Sequence, residues 1–308
     1  MLISVIKEQS NALAKKLTDS VSNPHVIALF RKCLYLFLLI NTLILLPVAD
    51  EIWGPNNSMI SYYNSDAFLL KFLNILSYHH FEDYYLFFVW GQIIFLIIGL
   101  TGKYQRLTSI FIYLFSANLY MKATNIQNAG NNVTLLMLIY LIFMNEHSDK
   151  NKTSPNLWNI IDTTCTNLAF SAAKIQLVVL YAVAGIYKLK GEHWLDGTAL
   201  YYVLHIDEFS HPFIQKHFTD SAFITYTGTY FTLFFQLSFP LLVWFQYTRK
   251  IMLFLGTILH LLIAFGLGIT DFGLVMLIMY MLFYSNERSK QLLEKISFPK
   301  NNVLPTPS

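Results

Sequence analysis

Apolar residues in this chain gather into eight long runs, near 30–49, 84–101, 107–122, 131–145, 171–189, 224–247, 251–268 and 272–285, parted by shorter polar stretches. A hydrocarbon core about 30 Å thick takes roughly 20 residues of helix to cross. The pattern therefore predicts an all-α fold: a polytopic membrane helix bundle of about eight transmembrane helices, the fourth and eighth of them short. Basic residues orient it. Sixteen of the 21 lysines and arginines fall in one set of alternating connections and ends, and five, Lys71, Lys122, Lys188, Lys190 and Lys216, fall in the other. Cytoplasmic segments carry the excess of Lys and Arg, so both termini are predicted to be cytoplasmic and Lys188 extracytoplasmic.

The stretches between the runs add detail. Residues 1–24 place Leu2, Ile6, Leu13 and Leu17 among Lys7, Lys15 and Lys16, the spacing of an amphipathic helix lying on a membrane surface. Pro24 separates that segment from the first span. No small-residue cleavage pattern follows the first long run, so a cleaved leader is not expected. In the first outer loop, the apolar stretch 68–76 predicts a short surface helix capped near Ser65 or Asp66. Residues 145–164 are polar and include Pro155, which reads as a plain cytoplasmic connection. After Gly197 a helix is expected over 198–204, and residues 287–308 form a short cytoplasmic tail.

Composition strengthens the membrane reading. The chain is 55% hydrophobic and 13% charged, with a mean hydropathy of +0.46, whereas soluble domains are about one-quarter charged. A net charge of +3 is too small to suggest a nucleic-acid partner, and the bilayer is the partner the pattern requires. Two cysteines, Cys33 and Cys165, imply no disulfide framework.

Candidate chemistry concentrates in residues 176–197, where an apolar helix ends in two lysines, an acid, a histidine and a tryptophan. At about 100° per residue, Tyr181, Gly185 and Lys188 share one face, so a small residue leaves room beside a hydroxyl and an amine. Removing water from an amine disfavours its charged form, which turns a lysine into a usable base near neutral pH. The alternative is that Lys188 and Lys190 snorkel to headgroups beside an interfacial Trp194. Tyr187 stands next to the amine as a second donor. The turn at 122–132 is rich in amides, among them Asn128, Asn131 and Asn132; it lines a polar, substrate-binding pocket or caps the next helix, and the sequence leaves both open. His260, in the middle of the seventh run, is a buried catalytic partner or a packing residue. Six outer-loop histidines, His79, His80, His193, His205, His211 and His217, fit no metal-ligand spacing, and no metal is predicted.

The run Tyr-x-x-Ala-Gly-x-x-Lys-Leu from Tyr181, followed by Trp-x-x-Gly ending at Gly197, resembles the vitamin K-dependent gamma-glutamyl carboxylase superfamily. Its bacterial branch is the horizontally transferred transmembrane (HTTM) group that includes sporulation delaying protein B. The proline-bearing sixth run, His260, the small residues after it and Phe272 fit the same resemblance, which covers most of residues 25–286. It implies that Lys188 is the base that initiates oxygenation of a reduced, vitamin K-like quinone, and that a secreted peptide is modified or matured outside the cell membrane. The family carries an Asn-His-like pair near Asn131 and Asn132, where this chain has two asparagines. The vertebrate-type carboxylases also carry a large lumenal domain for which this sequence has no room, so the resemblance favours peptide maturation over classical carboxylation. Two other classes stand beside it: a non-catalytic membrane partner in toxin maturation, and a transporter, for which no inverted repeat is visible. The sequence sets no oligomeric state.

Overall fold

The computed structural model describes Glu8, Asn11, Ala12, Lys15 and residues 17–55, 75–77, 82–123, 126–146, 156–207, 212–219 and 221–296. All regular structure among the described residues is helical. The main elements are α1 (Pro24–Leu45), α2 (Ala49–Trp53), α3 (Tyr85–Leu100), α4 (Gln105–Lys122), α5 (Ala129–Phe143) and α6 (Leu157–Lys188). Short helices α7 (Glu192–Leu195), α8 (Ala199–Leu204) and α9 (Pro212–Phe218) lead to α10 (Ala222–Leu242), α11 (Gln246–Leu261), α12 (Thr270–Tyr280) and α13 (Asn286–Ile296). Three stretches, Pro24–Trp53, Leu157–Lys188 and Gln246–Gly266, are long and apolar enough to cross a membrane, and Tyr85–Leu100, Ala129–Phe143 and Thr270–Phe283 are shorter apolar helices.

The bundle is apolar outside and partly polar inside. Ile44, Ile97, Phe234 and Phe254 are more than half exposed, while Thr108, Ser109, Ser116, Asn118 and Thr134 are buried. A water-soluble helix points its apolar stripe inward; the reverse arrangement suits a hydrocarbon solvent. Thr108 and Asn118 donate to carbonyls of their own helix, and Ser109 bonds Tyr35 of α1 at 2.7 Å. One large apolar core joins α1, α5, α6, α10, α11 and α12, and a smaller one gathers Trp53, Phe88 and Phe115 around α2, α3 and α4.

Local signals explain the ends. Pro24 occupies the first turn of α1, where its missing N–H costs nothing. Asn156 accepts from Trp158 N–H to start α6, and Ser221 accepts from Ile224 N–H to start α10. Pro240 lies in the last turn of α10. After α11 the chain makes one π-helical turn, Leu262–Gly266, and leaves through Gly268 at φ +70°, a left-handed conformation that favours glycine.

Two connections differ from expectation. The polar segment read as a connection through residue 164 is helical from Leu157 onward. Asp162 in this stretch pairs with Arg106 of α4 and accepts from Asn145 at 2.9 Å, and just beyond it Asn167 donates to the carbonyls of Leu17 and Ser20 at 2.9 Å. The carboxyl-terminal segment, read as a tail, begins with α13, which packs on α1; Asn286 accepts from His25 N–H at 3.0 Å. Ala199–Leu204 forms the helix expected after Gly197. Most of the amino-terminal segment and of the 68–76 stretch, together with Asn125, His79, His80 and His211, lies outside the described residues.

Candidate functional site

Tyr181 lies on the face of α6 that meets α10, α11 and α12 and is buried among the Phe235 and Phe239 rings, whose centroids lie 5.4 and 4.3 Å from its own. Its hydroxyl lies 2.6 Å from His260 Nε2 and 2.5 Å from the Tyr280 hydroxyl. Three helices thus contribute one side chain each to a buried hydrogen-bonded chain. His260 is 2% exposed, and its Nδ1 has no protein partner. The Phe272 ring stands edge-on to the imidazole with centroids 5.5 Å apart. Gly256, one turn before His260, makes room for Tyr280: a Cβ there would collide with the Tyr280 hydroxyl and come within 2.8 Å of the Phe235 ring.

Two turns further along α6, Lys188 is half-buried, its ammonium 4.7 Å from the centre of the Trp194 ring. Trp194 is held there by the loop that follows. Gly197 adopts φ +84° and presses against Tyr226 and Tyr230 of α10, so closely that no side chain fits, and Tyr230 donates to the Leu195 carbonyl at 2.9 Å. The space beside Gly185 is not left open for a ligand: Leu237 of α10 fills it, and a Cβ at Gly185 would come within 2.9 Å of that side chain and 3.3 Å of its backbone nitrogen. Gly185 is thus a close-approach position between α6 and α10.

Tyr187 points away from this face. It is 67% exposed, with the Lys190 ammonium 4.9 Å from its ring centre. Asn128 and Asn131 form a capping box at the start of α5: the Asn128 side chain accepts from Gly130 N–H at 2.7 Å and the Asn131 side chain from Asn128 N–H at 2.8 Å. Asn132 is exposed. This turn still approaches the histidine, because Gly130 abuts the Phe272 backbone, 2.8 Å from where a Cβ would sit. The structure therefore brings His260 and the Asn128–Asn131 turn to Phe272, bonds Tyr181 to His260 Nε2, and puts Lys188 under Trp194 at the end of the same α6 face.

Sequence reasoning missed four inward-facing polar groups. Tyr280 completes the chain to His260. Asp271 accepts from Asn41 at 3.4 Å, and Tyr120, near the end of α4, is half-buried. Lys122, at the end of α4, is buried. For Asp271 and Lys122 the signal was there: an ionisable side chain in an apolar run faces the bundle interior by default.

The segments between α6 and α10 hold their described histidines locally. His205 Nδ1 bonds the Tyr201 carbonyl at 2.8 Å and His217 Nδ1 the Phe213 carbonyl at 2.9 Å. Hydrogen bonds from the Thr198 hydroxyl and backbone N–H to Asp196 hold that carboxylate below its usual range, with His193 3.6 Å away. Among the described residues no three His, Cys, Asp or Glu side chains converge as metal ligands.

The family model of the HTTM domain matches residues 22–287. Sporulation-delaying protein SdpB of Bacillus subtilis (strain 168) is 25% identical over 198 residues, and the match spans 60% of this chain and 60% of that protein. No solved structure matches the chain.

Proposed function

Because the chain belongs to the HTTM domain family, we propose that it is a multi-pass cell-membrane protein of eight crossings, with both termini cytoplasmic and a carboxylase-like site on the extracytoplasmic side. It modifies or matures a secreted peptide by quinone-linked oxidation, with Lys188 as the base. The observation that carries the reading is the placement of Lys188: half-buried, roofed by Trp194, and two turns along the same helix face from the buried Tyr181–His260 pair. Such an amine is shielded from bulk water yet open to a substrate on one side, as a general base requires.

A reduced quinone suits the residues present. His260 Nδ1 is an orphaned, buried polar atom, and the adjoining π-turn exposes Leu262 and Phe265 to the surrounding phase, so an apolar ring system has both a polar anchor and a lipid-side approach. Bound there, a reduced quinone would supply two electrons and two protons to molecular oxygen and would itself be oxidised. The residues of the chain orient it through His260 and Tyr181, keep water out with Phe235, Phe239 and Phe272, and hold a proton-accepting amine at Lys188.

Lys188→Ala tests this. The variant should express and insert normally and lose about 100-fold or more of its activity in a peptide-maturation assay, the contribution typical of a general base. Full activity in that variant overturns the enzyme reading. A second reading, a non-catalytic membrane partner in export or maturation of a peptide toxin, draws support from the capping box, which engages the Asn128 and Asn131 side chains with the backbone. Retained activity in Lys188→Ala and His260→Gln together selects it.

A further inference from the structure

The Tyr280–Tyr181–His260 chain has an imbalance of hydrogens. Among the described residues the ring's one hydrogen-bond partner is Tyr181, and an imidazolium would be a buried charge with no carboxylate of those residues bonded to it, so the imidazole is neutral. The three groups then carry three polar hydrogens, one on each hydroxyl and one on the ring, but share only two contacts, of 2.5 and 2.6 Å. If the chain runs from Tyr280 through Tyr181 to Nε2, the open hydrogen sits on Nδ1. If it runs the other way, Nε2 donates to Tyr181, Tyr181 donates to Tyr280, and the Tyr280 hydrogen is left without an acceptor while Nδ1 is a bare lone pair.

Leaving a buried donor unmade is costly, and the two directions are not equivalent toward a ligand. An accepting oxygen placed at Nδ1 completes every bond in the first direction. A donating group placed there completes Nδ1 in the second but still strands the Tyr280 hydrogen. Among the described residues that hydroxyl has no hydrogen-bond contact besides Tyr181, and it is packed against Gly256 and Phe239, whose ring centroid lies 5.9 Å from its own.

We infer that Tyr280 and Tyr181 fix His260 as the Nδ1–H tautomer, and that His260 Nδ1 is a binding site for a carbonyl oxygen on an apolar ligand, ranking a carbonyl above a hydroxyl of the same shape. The surroundings suit such a ligand. Phe272 offers a ring edge beside the imidazole, and the chain after His260 enters the π-turn, where Leu267 N–H reaches back to the Leu262 carbonyl at 3.2 Å, a local re-registering found at functional sites. The inference rests on the site proposed above at His260 and refines it: the oxidised, carbonyl form of a quinone binds there more tightly than the reduced, hydroxyl form, and Lys188 need not be a base.

The test uses the full chain in lipid nanodiscs with isotope-labelled histidine, the His260 resonances being those absent from His260→Gln. Nitrogen shifts should show Nδ1 protonated and Nε2 unprotonated in the wild type, and Tyr181→Phe should release the ring into a mixture of tautomers. Benzophenone, benzhydrol and diphenylmethane form a ketone, alcohol and hydrocarbon series of matched shape. Benzophenone should shift the Nδ1 resonance and bind about five-fold more tightly than either of the others, the ratio expected of one net hydrogen bond. A wild-type ring protonated on Nε2, or equal binding across the series, overturns the proposal. Lys188→Ala should leave both readouts unchanged, so loss of the base reading and loss of this one are separately visible.

Discussion

Two buried polar knots in this bundle make opposite use of their hydrogen bonds. Around Arg31, 1% exposed, every nitrogen is engaged: Nε with Glu146 at 3.2 Å, Nη1 with Ser109 at 2.7 Å and Tyr35 at 3.3 Å, and Nη2 with the Met144 carbonyl at 2.5 Å. Tyr35 and Ser109 bond each other at 2.7 Å, which closes the network on itself. Around His260 the chain is equally buried but open at Nδ1. A closed polar knot ties α1, α4 and α5 together and offers nothing to a ligand; an open one ties α6, α11 and α12 together and keeps one contact in reserve. Burial alone would have ranked the two alike, and completeness separates them.

The contrast breaks if the two knots respond alike to substitution. Glu146→Ala should give the largest loss of stability, about 3–5 kcal/mol, because it strands the buried Arg31 charge; chemical denaturation in micelles measures it, and a loss below 1 kcal/mol would mean the knot does not hold the helices. Gly256→Ala comes next, at about 1–3 kcal/mol from overpacking against Tyr280 and Phe235. Because it displaces the Tyr280 hydroxyl, it should also disturb the His260 tautomer, which Glu146→Ala should leave alone. Asn128→Ala should cost about 1 kcal/mol through loss of the cap on α5; an activity loss far beyond that destabilisation would give Asn128 a role in substrate binding as well. Lys290→Ala, which removes an exposed pair with Glu294 on α13, sets the floor at under about 0.5 kcal/mol.

Much of this was legible from periodicity. The apolar runs marked the bundle, and Tyr181 and Lys188 share a face because seven residues is nearly two turns of helix. Gly197 could be read as a turn, though not that its left-handed conformation would seat Trp194 over Lys188. What escaped was long-range. Tyr280 sits 99 residues from Tyr181 in a run whose composition says only that it is apolar, and nothing local distinguishes it from the half-buried Tyr284. Gly185 was read as leaving room beside a hydroxyl and an amine because a sequence shows the small residue but not the Leu237 that fills the space. The polar stretch before residue 164 was read as a connection because polarity marks a loop only when water is its partner; at Asp162, Arg106 and Asn145 take that place.

The bond from His25 N–H to Asn286 sets an order on biogenesis. The opening turn of the first helix waits for a partner that leaves the ribosome 261 residues later, so the bundle cannot be sealed while the chain is still being threaded into the bilayer. Until α13 docks, α1 remains free to rearrange against its neighbours, and shortening the chain at Tyr284 should yield a protein that inserts but stays loosely assembled and open to proteolysis at its first helix.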